Sequence, residues 1–171
     1  YGTVTGVQTC ALPISWNGER QDNLDIYQQL IGAGSPLRLT TDPADDFSPA
    51  WSPDARFVAF IRRTDRTRIA VMTVPALGGA ARRLAEFNVH LAFNNPISDL
   101  VWTPDGRYLL VTGGVRPEDA DDLQRIDVAS GAVNTIRKAP PGKDGWAPLA
   151  LSPDGRRLAA FLFPLRDRKS T

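Results

Sequence analysis

The chain has 171 residues, 42% hydrophobic and 23% charged, with 20 Lys and Arg against 19 Asp and Glu for a formal net charge of +1. That composition suits about one folded domain and excludes a disordered chain or a fibre. Both signs of charge are mixed along the sequence, which excludes the basic footprint of a nucleic-acid-binding surface.

The chain starts with YGTVTGVQTCALPIS, which has no charged residue and carries the single cysteine, Cys10. One cysteine makes no internal disulfide, so it reports no redox compartment. Leu24 to Ile31 predicts a strand, Gly32-Ala33-Gly34 a turn, and Leu37 to Thr40 a second strand. The acidic group Asp42, Asp45 and Asp46 then reads as a turn between units.

Three segments align from here on: WSPDARFVAF from Trp51, WTPDGRYLLV from Trp102 and LSPDGRRLAAF from Leu151, starting 51 and 49 residues apart. A period near 50 residues is at the upper end of the propeller-blade range and well above that of ankyrin, tetratricopeptide or leucine-rich repeats. In each unit a short apolar strand (Ala50-Trp51, Leu100 to Trp102, Leu149 to Leu151) meets a Ser/Thr-Pro-Asp turn. Pro presets φ, Asp bonds the local backbone and Gly accepts a left-handed conformation. The turn residues are Pro53, Asp54 and Arg56; Pro104, Asp105, Gly106 and Arg107; and Pro153, Asp154, Gly155 and Arg156. Ala55 stands where the other two turns have glycine, which predicts strain on the order of 1 kcal/mol if the left-handed geometry is kept.

Second strands follow as FVAFI, YLLVT and RLAAFLF, third strands as IAVMTV from Ile69 and LQRIDV from Leu123, and fourth strands as ARRLA and AVNTI near Arg82 and Ala132. Four strands per unit at this period is the blade of a β-propeller. The fold class is therefore all-β, an incomplete propeller of about two full four-stranded blades flanked by two half blades. Their expected bounds are 16–46 (partial), 47–96, 97–145 and 146–166 (partial). Whole propellers need about four to eight blades with the edges paired, so the chain reads as an excerpt whose open edges associate when it is expressed alone.

The repeat, an aromatic followed by Ser/Thr-Pro-Asp-Gly-Arg, an apolar strand and a later GG or SG turn, resembles the TolB-like, WD-type β-propeller repeats of bacteria. DNLDIYQQLIGAGSPLRLTTDPADDFSPAWSPDARFVAFIRR is similar to the propeller region that follows a Ser/Thr protein kinase or winged-helix regulator domain in large bacterial proteins. The likeness spans about Trp16 to Leu165. It implies a non-catalytic interaction or sensing module that binds a protein or peptide. Two alternatives go with it: the gating propeller of a prolyl-oligopeptidase-like or dipeptidyl-peptidase-like serine hydrolase, and a free periplasmic TolB-type propeller. A site outside the cytoplasm is implied by resemblance only. Ala55, Leu151 in place of an aromatic, and the long connection from Glu86 to Pro96 depart from the pattern.

Each candidate site also has a structural role that accounts for it. Asp54, Asp105 and Asp154 recur because Asp satisfies backbone donors in this turn; Arg56, Arg107 and Arg156 are expected to lie along neighbouring apolar surface or to bridge blades. Glu118 to Asp122 lacks the ordered spacing of a Ca²⁺ loop and reads as a solvated insertion. His90, the only histidine, falls on the polar face of FNVHLAF with no zinc-ligating neighbours. No G-x-S-x-G elbow and no kinase signature occurs, so no catalytic, cofactor-binding or metal-ligating set is expected. The longest apolar run, Leu158 to Leu165, is less than half of the roughly 20 residues a spanning helix needs and contains Pro164, so no membrane insertion is expected.

The last residues, DRKST, bear on the first. Codons GAT CGG AAG AGC ACA for DRKST have the reverse complement TGT GCT CTT CCG ATC, which encodes Cys10 to Ile14. One oligonucleotide read on opposite strands thus encodes both ends, and its longer form, covering Val4 to Ile14, resembles a common short-read sequencing adapter. Segments 1–15 and 167–171 are accordingly read as adapter-derived tails and kept out of the fold reasoning.

Overall fold

The computed structural model describes residues 11–17, 23–89, 100–141 and 143–164. Strands β1 (Ala11–Asn17), β2 (Leu24–Leu30) and β3 (Ala33–Arg38) form a first antiparallel sheet. A four-stranded sheet follows, with β4 (Asp46–Trp51), β5 (Phe57–Arg63), β6 (Arg68–Pro75) and β7 (Arg82–Asn88) in sequence order. The next four-stranded sheet has β8 (Leu100–Trp102), β9 (Tyr108–Thr112), β10 (Leu123–Asp127) and β11 (Val133–Arg137). A hairpin of β12 (Lys143–Leu151) and β13 (Leu158–Pro164) completes the described residues. Each sheet is a meander in which neighbours in sequence are neighbours in space, the construction of propeller blades.

The sheets bury both faces against one another, which explains strands that are apolar without alternation. Side chains alternate across a strand, so in β5 Val58 and Phe60 join Ile26 and Leu39 of the first sheet. Ala59 and Ile61 face the other way and join Leu109, Val111 and Ile126 of the third sheet. A smaller cluster of Leu110, Leu123 and Leu149 links the third sheet to the final hairpin. Each fully buried Val, Ile or Phe contributes about 1.5–3 kcal/mol, so the core is a series of inter-sheet layers. In β11 only Val133 packs against the core, and the other residues are exposed.

Several expectations are corrected. Leu30 pairs directly with Ala33, so the chain reverses at Ile31-Gly32, where Gly32 has φ 81°; Ala33 and Gly34 belong to β3 instead of the turn. The strand expected at Leu37 to Thr40 starts at Ala33 and ends at Arg38, while Leu39 N–H still donates to the Ile26 carbonyl at 2.8 Å. β4 begins at Asp46 and β12 at Lys143, ahead of the aromatic or Leu151 that marks each repeat, because the linking segment already pairs with the following strand. Ala11 to Ile14, expected to belong to the N-terminal tail, form the start of β1 opposite β2. An open strand edge accepts any extended segment whatever its origin.

Candidate functional site

The three repeat turns share one hydrogen-bonding scheme. In the first, Ser52 Oγ donates to Asp54 Oδ1 at 2.6 Å and accepts from Phe57 N–H at 2.9 Å; Asp54 Oδ1 also accepts from Arg56 N–H at 3.1 Å. Thr103, Asp105, Arg107 and Tyr108 repeat these bonds at 2.5, 3.0 and 3.0 Å. Ser152, Asp154, Arg156 and Arg157 repeat them at 2.6, 2.9 and 3.1 Å. The turn is closed by a backbone bond from Ala55, Gly106 or Gly155 N–H to the Ser or Thr carbonyl. Donation from the hydroxyl, and next from the Arg N–H, holds all three Asp carboxyls below the usual carboxylate range. Ala55 keeps the left-handed conformation at φ 57°, beside 68° and 69° for Gly106 and Gly155.

Two of the arginines after these turns, Arg56 and Arg107, lie along their own sheets. Arg56 lies over the Phe57 ring, and Arg107 lies over Tyr108 and faces Asp127 of its own sheet at 3.6 Å. What joins the turns is packing: a methyl group at Gly106 would stand 3.7 Å from Pro53 Cδ, and one at Gly155 only 2.9 Å from Pro104 Cδ. Between the first two turns lies a groove of about 430 Å³, with Pro53, Pro104, Phe57 and Trp102 as apolar walls and Asp54 and Asp105 on its lining. Trp102 Nε1–H crosses between sheets to the Ala50 carbonyl at 3.0 Å. The equivalent Trp51 Nε1 is buried with no acceptor among the described residues.

Asp42, Asp45 and Asp46 are no mere turn. Asp46 is fully buried and is clamped by Arg62, whose Nε and Nη2 donate to its two oxygens at 2.7 and 2.8 Å while Nη1 reaches Asp42 at 2.6 Å. Burial pushes the Asp46 carboxyl up, against the lowering by Arg62. Next to this clamp, Asp25 is held by Arg38 and Thr40, and Asp45 accepts from Leu24 N–H. The sequence signal for this network was an arginine at the inner end of an otherwise apolar strand, FVAFIR.

The acidic segment from Glu118 is also less solvated than expected. Pro117–Asp119 form a short 3-10 helix, Ala120 and Asp122 are buried, and Asp122 Oδ1 accepts from Ala139 N–H at 2.8 Å. Among the described residues no group of acidic, His or Cys side chains has the arrangement of a metal site, and no helix is long and apolar enough to cross a membrane. His90 and Cys10 lie outside the described residues.

No family model matches the chain. An uncharacterized peptidase, YuxL of Bacillus subtilis, is 32% identical over 108 residues, which are 61% of this chain and 15% of that protein. A prolyl endopeptidase structure superposes over 91% of this chain and 25% of its own, with TM-score 0.64 and 12% identity. A TolB-type protein of Agrobacterium tumefaciens superposes over 91% of this chain and 55% of its own, with TM-score 0.61 and 21% identity. The chain thus spans a minor part of the peptidases it resembles. It has the β-propeller fold of TolB and of peptidase propeller domains.

Proposed function

We propose that this chain is a non-catalytic propeller portion of a larger peptidase-like protein, with the repeat-turn face handling peptide or protein chains. The observation that carries the reading is the 32% identity to the Bacillus peptidase, well above the 12% identity to the prolyl endopeptidase whose fold is shared. The groove between the Pro53 and Pro104 turns supports peptide as the ligand class, because clefts of roughly 300–1,000 Å³ with apolar walls and a few polar groups are the usual form of such sites. The coding sequence around the source locus tests it. An α/β domain with a G-x-S-x-G elbow after these repeats is the expected result; a kinase or winged-helix domain before them, with no hydrolase domain after, overturns it.

A second reading, a free TolB-type propeller acting in the periplasm, is favoured by the larger share of the Agrobacterium protein that this chain covers. A signal peptide ahead of the first sheet and no hydrolase domain would mark it. A kinase or regulator parent is the third reading, and a kinase or winged-helix domain encoded ahead of the first sheet would mark it. The same locus tests the adapter origin of 1–15 and 167–171: an uninterrupted genomic frame through Val4 to Ile14 overturns it.

A further inference from the structure

We propose that the groove between the Pro53 and Pro104 turns receives a Lys or Arg side chain of a partner peptide, with apolar residues of that peptide on either side. The inference rests on the peptide-handling reading above and specifies its ligand.

Three observations converge on this groove. First, the two described turn-to-turn junctions differ: at Pro104 the next glycine sits so close that an added methyl would clash at 2.9 Å, whereas at Pro53 the corresponding distance is 3.7 Å. The open junction has the groove. Second, its walls are two proline rings, Trp102, and Phe57, which stays 38% exposed despite its size. Such walls suit the aliphatic stem of a long cationic side chain, and the aromatic rings add cation–π attraction.

Third, the lining side chains include two carboxylates and no cation. Asp54 and Asp105 each commit Oδ1 to the turn, and Oδ2 of each accepts no hydrogen bond among the described residues. The turn bonds favour the ionised form of both. Arg56 and Arg107 lie over Phe57 and Tyr108 and take no part in the lining. A guanidinium or ammonium entering the groove therefore meets two open carboxylate oxygens, with Arg56 and Arg107 near those carboxylates but outside the lining, and charge-assisted bonds of this kind are about twice as strong as neutral ones.

The test titrates the full chain with Ac-Leu-Arg-Leu-NH₂, Ac-Leu-Gln-Leu-NH₂ and Ac-Leu-Glu-Leu-NH₂, followed by NMR at the Trp102 indole and the Val128 methyls. The Arg peptide is expected to bind about five- to tenfold tighter than the Gln peptide and to weaken several-fold in 0.5 M salt. Asp54→Asn with Asp105→Asn keeps the amide oxygen that accepts the turn bonds, so the fold survives while the preference for Arg disappears. Asp154→Asn, in a turn away from the groove, leaves affinity unchanged. Equal affinity for the Arg and Glu peptides, an undiminished preference in the double Asn variant, or binding of none of the three overturns the inference. The parent reading is decided separately, by the domain encoded downstream.

Discussion

The two four-stranded sheets are built from the same repeat, yet they are held in different ways. The sheet β4–β7 carries a buried ion clamp, Asp46 with Arg62, a strained Ala55 and an unsatisfied indole at Trp51. The sheet β8–β11 has Gly106 in the turn, a satisfied Trp102, and Gly113 where Arg62 would be, eleven residues after the tryptophan. At Gly113 a methyl group would meet Phe87 Cβ at 2.9 Å, so any side chain there collides with the preceding sheet. The repeat thus fixes the hairpin and its turn, while the means of joining one sheet to the next is chosen afresh at each junction.

The largest difference is expected at the clamp. Arg62→Ala leaves a fully buried carboxylate without its partner and should cost about 3–5 kcal/mol, read as a lower urea midpoint. The double change Arg62→Met with Asp46→Leu should recover most of that loss, since well-packed apolar replacements of a buried pair are often neutral or better. A single variant as stable as the parent would mean the clamp contributes nothing to the difference between the sheets.

Next come the tryptophans. Trp102→Phe removes the inter-sheet bond to the Ala50 carbonyl and should cost about 0.5–1.5 kcal/mol, whereas Trp51→Phe removes a buried donor with no acceptor among the described residues and should be close to neutral. Equal losses would show that ring packing, common to both, outweighs the hydrogen bond.

The turns should differ by less. Ala55→Gly relieves a left-handed alanine and is expected to stabilise by about 1 kcal/mol, with Gly106→Ala costing a similar amount. Gly155→Ala adds the clash with Pro104 to the same strain and should cost more than Gly106→Ala. Thermal melts of the three variants order these effects.

The smallest effect is in the carboxylates, observed by NMR titration. Asp54 and Asp105 should titrate alike, below the unfolded value of about 3.9, because the same hydroxyl and N–H bonds hold both. Their contribution to stability is present above that value and is lost as pH falls through the folded ones. Asp46 has the opposite sign: burial raises it, so its contribution is complete below about 3.9 and is lost as pH rises through its folded value. Ser52→Ala should move Asp54 back toward the ordinary range and leave Asp105 where it is.

Much of the architecture was legible because period, turn chemistry and strand propensity agree at each repeat: Trp51, Trp102 and Leu151 mark the inner strands, and Ser/Thr-Pro-Asp marks the reversals. What was hidden depends on contacts between units, which no local pattern records. Asp46 looked like one more acidic turn residue until the sheet brought Arg62 against it across a strand pair. Asp122 looked solvated because its acidic neighbours are, although its own carboxylate ties down Ala139. The groove was unreadable for the same reason, since Pro53 and Pro104 are about 50 residues apart in sequence and meet only when two sheets stack.

The contact of Pro53 with Gly106 and of Pro104 with Gly155, each the glycine of the following turn, has a consequence for how such chains grow. Proline is the plug and glycine the socket, and the second and third repeats carry one of each, so a duplicated unit of that kind arrives with both halves of its joint already matched. Insertion or loss of a whole unit preserves the fit, whereas a change at either residue is felt in the neighbouring copy. At Ala55 the socket position carries a methyl group, while the plug of the same repeat, Pro53, still faces the next glycine.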